Sequence, residues 1–403
     1  MRERRLLAAL GGKCAAGLLA ATTAIAAPDF GRCLATLRGD ALAQGISAET
    51  FDRSLSGVEP DDTVIAAMEN QPEFVTPIWD YLAGLVDDQR IADGKAKLEQ
   101  WKGVLDAIER RYGVDRYTVV AVWGVESDYG RTAGGRPLVR SLATVSCFGS
   151  RQRYFRRELL AALRIVQDGD MPQHVLVGSW AGAFGQTQFM PTAFQRLAVD
   201  FDGDGRRDIV DSVPDALAST AHFLENAGWA GGEPWGYEVK LPERYGGASG
   251  RGTRKPLAYW RKLGVRRIDG TPLTGDERAA LLLPAGAAGP AFLVLSNFTA
   301  IYSYNAAESY ALAIAHLSDR LRGGAPFATP WPTDDPGLSR AERRELQERL
   351  LARGYDVGEP DGLVGARTRA AIEAFQAAAG LPIDGHAGMR VLSALRATGE
   401  PEK

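Results

Sequence analysis

Residues 117–130 read YTVVAVWGVESDYG, and their spacing sets the first expectation about the chain. Val119, Val122, Trp123 and Glu126 fall at i, i+3, i+4 and i+7, the repeat of one helical face. A carboxyl group therefore shares the apolar stripe of its own helix with a valine and a tryptophan one turn back. Loss of water there penalises the ionised form and raises the pKa. A carboxyl that stays protonated near neutral pH is what general-acid chemistry requires. A buried glutamate hydrogen-bonded for structure alone fits the same spacing, so the stretch by itself leaves both readings open. Gly130 is the expected helix stop.

The chain around this stretch has 403 residues, with 45% hydrophobic and 24% charged, an ordinary globular composition with room for two or three domains. Residues 1–26 have the pattern of a secretory signal: Arg2, Arg4 and Arg5, an Ala/Leu-rich run, then Ala24-Ile25-Ala26 as a small-residue cleavage site. Gly11, Gly12 and Lys13 interrupt the run, which argues against a spanning helix, and Gly-Gly-Lys is a poor setting for lipid attachment at Cys14. A periplasmic location without a lipid anchor is expected. Removing residues 1–26, with four basic and one acidic side chain, takes the net charge from −3 to −6. Such a balance argues against nucleic acid as a partner, because phosphate binding needs basic excess. The same cleavage leaves two cysteines, Cys33 and Cys147. In an exported chain the pair is expected to form one disulfide, the alternative being two separately buried thiols.

Before the glutamate stretch, residues 30–115 read mostly as helix. Ser47 with Thr50 and Phe51 gives a start signal, Pro60, Pro72 and Pro77 break the pattern, and a long amphipathic run covers Trp79 to Arg111. Trp101 on that run is either core or a platform for a sugar ring. After Gly130 a Gly-rich turn leads into another helix, followed by Arg151, Gln152, Arg153, Arg156 and Arg157 around Tyr154 and Phe155. That cluster is either a solvated face or a saccharide and carboxylate contact. GSWAGAFGQTQFMPTAF, residues 178–194, carries glycines at 178, 182 and 185 that admit close backbone approach. Its Gln186 and Gln188 suit sugar hydroxyl and acetamido groups, and packing through small residues is the alternative.

Residues 200–211 place Asp200, Asp202, Asp204, Asp208 and Asp211 at positions 1, 3, 5, 9 and 12 of a loop with Gly205 at position 6. This is EF-hand spacing, with the Arg206 backbone carbonyl at position 7. Five carboxylates so close together repel unless a cation neutralises them, so a structural Ca2+ is the expected cofactor. Asp211 in place of glutamate makes bidentate ligation harder, and a solvated acidic turn is the competing reading. Residues 212–228 read as the helix leaving this loop. The strand-like runs YEVKLP and FLVLS lie in a Gly/Pro-rich stretch at 231–295. NFTAIYSYNAAESYALAIAHLSDRL then turns helical in its later half, with Tyr302, Tyr304, Asn305 and Tyr310 near the start. APFATPWPTDDP, 325–336, is a Pro-rich linker. About sixty residues remain and read helix, turn, helix, turn, helix, near the lower limit for a self-standing core. DGLVGARTRAAI and DGHAGMRVLSAL echo each other within them.

From residue 30 to 322 the chain resembles the lytic murein transglycosylases of the B family. The resemblance rests on GVESDYGR, GSWAGAFGQTQFMPTAF, the acidic loop and NFTAIYSYNAAESY, in that order. The tail, with LQERLLARGY, DGLVG, FQAAAGL and DGHAG, resembles the three-helix peptidoglycan-binding domain. The resemblance implies an α+β, mostly helical, lysozyme-like catalytic domain at 28–324, a linker at 325–337 and a wall-binding domain at 338–398. It implies cleavage of the β-1,4 bond between N-acetylmuramic acid and N-acetylglucosamine, leaving 1,6-anhydromuramoyl ends. Glu126 would be the single acid/base. Ser179, Gln188, Tyr304, Asn305, Tyr310, Arg151 and Trp101 would contact the glycan. Phe223 stands where some members carry a tyrosine. Glycan strands and other cell-wall enzymes are the expected partners of a monomer, with no organic cofactor.

Most glycosidases flank the scissile bond with two carboxylates. Asp128 lies roughly 200° around the helix from Glu126 and should point away from it. The loop aspartates belong to the metal, and Glu158 sits on another helix. A one-carboxylate route is therefore expected. A hydrolase on the same fold, a silent wall-binding protein and a calcium-dependent adhesin are the alternatives, which product analysis, Glu126→Gln and calcium-dependent binding would separate.

Overall fold

The structure, a computed structural model, describes residues 30–68 and 76–397. The expected signal segment 1–26 and Pro72 lie outside the described residues. No helix among the described residues is long and apolar enough to cross a membrane.

The N-terminal half is a helical array: α1 (Phe30–Ala43), α2 (Ala48–Leu55), α3 (Asp62–Met68), α4 (Ile78–Leu85), α5 (Asp88–Gln100), α6 (Lys102–Tyr112) and α7 (Arg116–Ser127). The expected start at Ser47 is present, its hydroxyl accepting from Thr50 N at 3.0 Å. The single long run expected from Trp79 to Arg111 is three helices instead. Asp87 caps α5 by accepting from Arg90 N at 2.8 Å, and Trp101 sits at the break between α5 and α6. An apolar stripe can run on in phase while local caps divide the helix that carries it.

A two-residue strand, β1 (Arg136–Pro137), precedes α8 (Leu138–Phe148) and α9 (Gln152–Asp168) and pairs antiparallel with β2 (Val177–Gly178). Then come α10 (Pro191–Leu197), the acidic loop and α11 (Val213–Asn226). Cys33 on α1 is joined to Cys147 on α8 by a disulfide, with Cα atoms 5.9 Å apart. One core fills the space between α1, α2, α8 and α9, with Leu37, Phe51, Leu142, Phe155 and Leu163 buried.

The region 231–295 forms one antiparallel sheet from β3 (Gly236–Lys240), β4 (Lys255–Pro256), β5 (Arg266–Arg267), β6 (Arg278–Leu282) and β7 (Ala291–Val294), in the order β4-β6-β7-β3-β5. Ala280, Leu282, Phe292 and Val294 face the core under α7, whereas Ala279, Leu281, Ala291 and Leu293 face a second core around Trp260 on α12 (Leu257–Lys262). Burial on both faces explains why FLV is continuously apolar. The helices α13 (Ser296–Asn305) and α14 (Glu308–Arg322) complete this domain, and α14 packs along α7.

The C-terminal unit is α15 (Arg340–Leu351), α16 (Ala366–Ala379) and α17 (Met389–Ala397) around Leu346, Leu350, Ile372, Phe375 and Leu392. The echoed Asp-Gly motifs are one device used twice. The Gln347 amide accepts from Gly362 N at 2.7 Å, and the Gln376 amide accepts from Gly385 N at 2.9 Å. Each Gln also donates to the aspartate before its glycine.

This unit docks on the preceding part of the chain at two charged points. His386 lies between Asp80 of α4 at 2.9 Å and Asp335 at 3.2 Å. Arg340 of α15 donates to Asp128, at the end of α7, at 2.6 Å. The hydrogen bond that His386 donates to Asp80 raises the imidazole to about 9 against the opposition of burial, with further support from Asp335. A group raised from an ordinary value of 6.5 contributes fully below about pH 6.5 and loses its contribution as the pH climbs through about 9. Thermal unfolding followed from about pH 6 to about pH 10 should lose stability over that window, and His386→Gln should flatten the loss. A flat profile for the native chain would count against the clasp.

Candidate active site

The helix that carries Glu126 begins at Asp115, whose carboxylate accepts from Thr118 N at 3.0 Å. Valines, Ala121 and Trp123 bury it on nearly every side. It ends at Ser127, earlier than the expected stop at Gly130, and the turn beyond is unusual. Asp128 and Tyr129 adopt φ of 53° and 60° ahead of Gly130 at 87°. Two consecutive non-glycine residues in the left-handed region cost on the order of 1–3 kcal/mol each. The surroundings hold them there. Tyr129 donates to Arg90 O at 2.8 Å and packs edge-on to Trp123, with centroids 5.7 Å apart. Its ring fills space that a side chain at Gly124 would occupy, since a Cβ there would fall 2.7 Å from it. Asp128, 4% exposed, receives guanidinium groups from Arg90 at 3.4 Å, Arg131 at 3.0 Å and Arg340 at 2.6 Å. Burial would push its carboxyl up. The hydrogen bond from Arg340 and the charges of Arg90 and Arg340 outweigh that and hold it below the ordinary value.

The Glu126 side chain is half-buried and faces a cavity of about 1090 Å³. Tyr310, at the start of α14, donates its hydroxyl to Glu126 Oε1. Tyr304 stacks near Tyr310, centroids 6.4 Å apart, and donates to Thr187 O at 2.7 Å. Burial, then the Glu126 charge, pushes both phenols well above their ordinary value, so they remain hydrogen-bond donors. Phe223 packs against Tyr304 with centroids at 4.6 Å and brings a ring but no hydroxyl.

Of the expected contact residues, Asn305 and Tyr310 line the cavity with Glu126, and Tyr304 adjoins it. The others are not among the residues that line it. The Ser179 hydroxyl accepts from Ala183 N at 3.1 Å within its own turn. Gln188 donates to Ala133 O at 2.8 Å and Gly185 O at 2.9 Å. Arg151 is exposed at the start of α9, over the rings of Tyr154 and Phe155. Trp101 packs on the main core, among the residues that flank α7. Three lining groups were not read from the sequence: Trp79 and Tyr81 of α4, and the arginines of the C-terminal unit. Trp79 and Tyr81 are two apart on a helix, so no single-face periodicity marks them.

The glycine-rich segment is a frame for the helix. A Cβ on Gly178 would fall 2.0 Å from the Ala183 oxygen, so the chain doubles back on itself there only with glycine. Gln186 is the link to the metal loop. It accepts from Trp123 Nε1 at 2.9 Å and donates to Val210 O at 3.0 Å. Ser127 donates to Gln186 O and accepts from Gly130 N at 2.9 Å.

In the acidic loop, oxygens of Asp200, Asp202 and Asp204 converge within 4.8 Å of one another. Hard oxygen donors so placed fit a Ca2+ ion. Asp208 and Asp211 stand outside that group. Asp208 Oδ1 accepts from Val210 N at 2.9 Å and Asp211 N at 2.8 Å, and Asp211 is exposed. The loop is braced from below by a residue the spacing did not reveal. The fully buried Asp215 of α11 accepts from Phe201 N at 2.7 Å, Asp202 N at 3.3 Å and Asp208 N at 2.9 Å.

The family model for the transglycosylase SLT domain matches residues 29–319, and that for a peptidoglycan binding domain matches residues 339–395. A lytic transglycosylase, a glycosidic-bond lyase, is the class that this lysozyme-like fold and its cavity define. The chain belongs to the transglycosylase SLT domain family. It is similar to the membrane-bound lytic murein transglycosylase B of Escherichia coli K12, with 29% identity over 290 residues, 68% of this chain and 78% of the relative. The crystal structure of SltB3 from Pseudomonas aeruginosa, in complex with NAG-anhNAM-pentapeptide, matches at 48% identity and TM-score 0.73, covering 92% of this chain and 100% of that one. Escherichia coli Slt35, solved in complex with calcium, matches at 27% identity and TM-score 0.65, covering 72% of this chain and 92% of its own.

Proposed function

We propose that the chain cleaves the β-1,4 bond between N-acetylmuramic acid and N-acetylglucosamine in peptidoglycan and closes the muramoyl end as a 1,6-anhydro ring. The observation that supports this most is the state of the carboxylates around Glu126. Five other acids line the cavity: Asp80, Asp128, Asp334, Asp335 and Asp384. Asp80 and Asp335 hold His386, Asp128 is ringed by arginines, Asp334 pairs with Arg390, and Asp384 is tied to Gln376 and His386 N. A second catalytic carboxylate would have to leave such a partner first.

Glu126 alone then serves twice. Its proton goes to the leaving glycosidic oxygen as the C1–O4 bond breaks, and the acetamido oxygen of the muramoyl unit bonds to C1. The Glu126 carboxylate next takes the proton of the C6 hydroxyl. O6 bonds to C1 and the acetamido oxygen leaves. An intramolecular nucleophile has an effective molarity that outcompetes water. Mass spectrometry of digested sacculi tests the reading: anhydro ends are expected, and reducing ends would establish a hydrolase.

The chain is exported, residues 1–26 serving as its leader, and acts as a monomer on glycan strands in the periplasm. Asp200, Asp202 and Asp204, with the Arg206 carbonyl, hold a structural Ca2+. An ion that binds only the folded state at a hundred times its Kd adds about 2.7 kcal/mol. Chelation should therefore lower the melting temperature by several degrees, and Asp202→Asn should abolish that response. A chelator that leaves the native melting temperature unmoved would remove the ion from the account.

A further inference from the structure

The wall-binding unit reaches the catalytic helix itself. Glu126 occupies the last turn of α7, and Asp128 two residues later receives three guanidinium groups. Two come from within the catalytic domain: Arg90 on α5, and Arg131 just past the turn. The third and shortest contact, at 2.6 Å, comes from Arg340 at the start of α15 in the C-terminal unit. Arg340 is well held. Ser339 and Glu342 form a capping box around it, and its side chain is 16% exposed. One turn further, Arg343 donates to Gly84 O at 3.3 Å, the same carbonyl that Arg90 contacts at 3.0 Å.

The turn that receives these contacts cannot hold its shape alone. Asp128 and Tyr129 are both left-handed without being glycine, so the path of the chain past Glu126 is imposed from outside. Arg90 and Arg131 pull the Asp128 carboxylate from the catalytic-domain side, and Arg340 pulls it from across the cavity wall. Remove the third arm and the carboxylate settles toward the other two, shifting the helix end that aims Glu126 and the hydroxyl of Tyr310 bonded to it.

We propose that Arg340 is a positioning residue: through Asp128, the docked C-terminal domain sets the aim of Glu126, so turnover depends on this domain apart from any hold it has on the wall. The proposal rests on Glu126 being the acid/base.

The test uses the full chain and a soluble, defined oligosaccharide of alternating N-acetylglucosamine and N-acetylmuramic acid. Arg340→Met keeps the bulk of the stem and removes the donor. It should lower kcat by about tenfold to a hundredfold, the scale of a small misplacement, with KM within about twofold. Arg340→Lys, which keeps the charge, should recover most of that loss. For both variants pelleting on purified wall should match the parent, and the melting temperature should stay within a few degrees of it, the loss expected from one docking contact. An unchanged kcat in Arg340→Met overturns the proposal, as does a rise in KM alone, which would make the domain a binding module only. A kcat loss that lysine fails to recover, or that comes with a melting temperature lowered by more than a few degrees, assigns the effect to packing and overturns it too. Glu126→Gln runs beside them: activity retained there refutes the acid/base assignment, whatever Arg340 does.

Discussion

Glu126→Gln is expected to reduce the clearance of purified peptidoglycan by on the order of 10³-fold. The amide is nearly the same size and still accepts the hydroxyl of Tyr310, so the cavity should keep its shape. It has no proton to give to a leaving oxygen and cannot take one from the C6 hydroxyl. Both half-reactions of the proposed route fail together, since that route uses one residue for both. Binding to wall should persist through the three-helix unit. Turbidity assays and release of anhydromuropeptides read the outcome, with melting temperature as the control for folding. Clearance at the parent rate would show that the proton comes from elsewhere. The tied state of the other cavity carboxylates makes the loss hard to bypass.

Replacing Cys33 and Cys147 together by alanine should lower stability by about 4 kcal/mol, because the bond closes a very long loop in the unfolded chain. Their sequence separation is 114 residues. The loss should be felt first at the N-terminal edge, where α1 and α2 rest on α8 and α9 through Leu37, Ala41 and Phe51. Calorimetry should show a fall of roughly 5–10 °C, and a reductant should move the parent in the same direction. A double variant that melts within about one degree of the parent would mean that the helices hold without the crosslink.

The catalytic helix, its cap and its apolar stripe were legible because helical periodicity and N-cap chemistry are local. The same holds for the three terminal helices and for the chain entering the acidic loop. What escaped depends on contacts distant in sequence. Gly130 marked the turn after α7, yet the helix gives way at Asp128, a left-handed residue whose carboxylate is met by Arg340, more than two hundred residues on. The early half of 296–322 is helical as well, although its moment is weak, because α13 is packed by Phe298 and Ile301 under the sheet. The strand β6 escaped because Arg-Ala-Ala-Leu-Leu carries no β-branched residue, and pairing with β4 and β7 makes it a strand. Ser179 and Gln188 are read from the sequence as sugar contacts, and in the structure each also braces its own turn, Ser179 by accepting from Ala183 N and Gln188 by donating to Ala133 O. Asp215 gave no signal beyond being one more aspartate near an acidic loop.

That aspartate bears on what kind of cage the loop would make for the proposed ion. Three backbone amides are fastened to Asp215 from inside the protein, so the bend does not rest on an ion alone. Ordering the chain is then a smaller part of the free energy of capture, which goes mainly into stripping water from the ion and matching its radius. A pre-shaped ring of oxygens suits a large ion that sheds water easily and tolerates irregular coordination. Magnesium, smaller and slow to dehydrate, gains little from it. Discrimination between the two would survive changes at the loop's exposed rim, such as Asp211, and would soften once Asp215 no longer fixed the ring's dimensions.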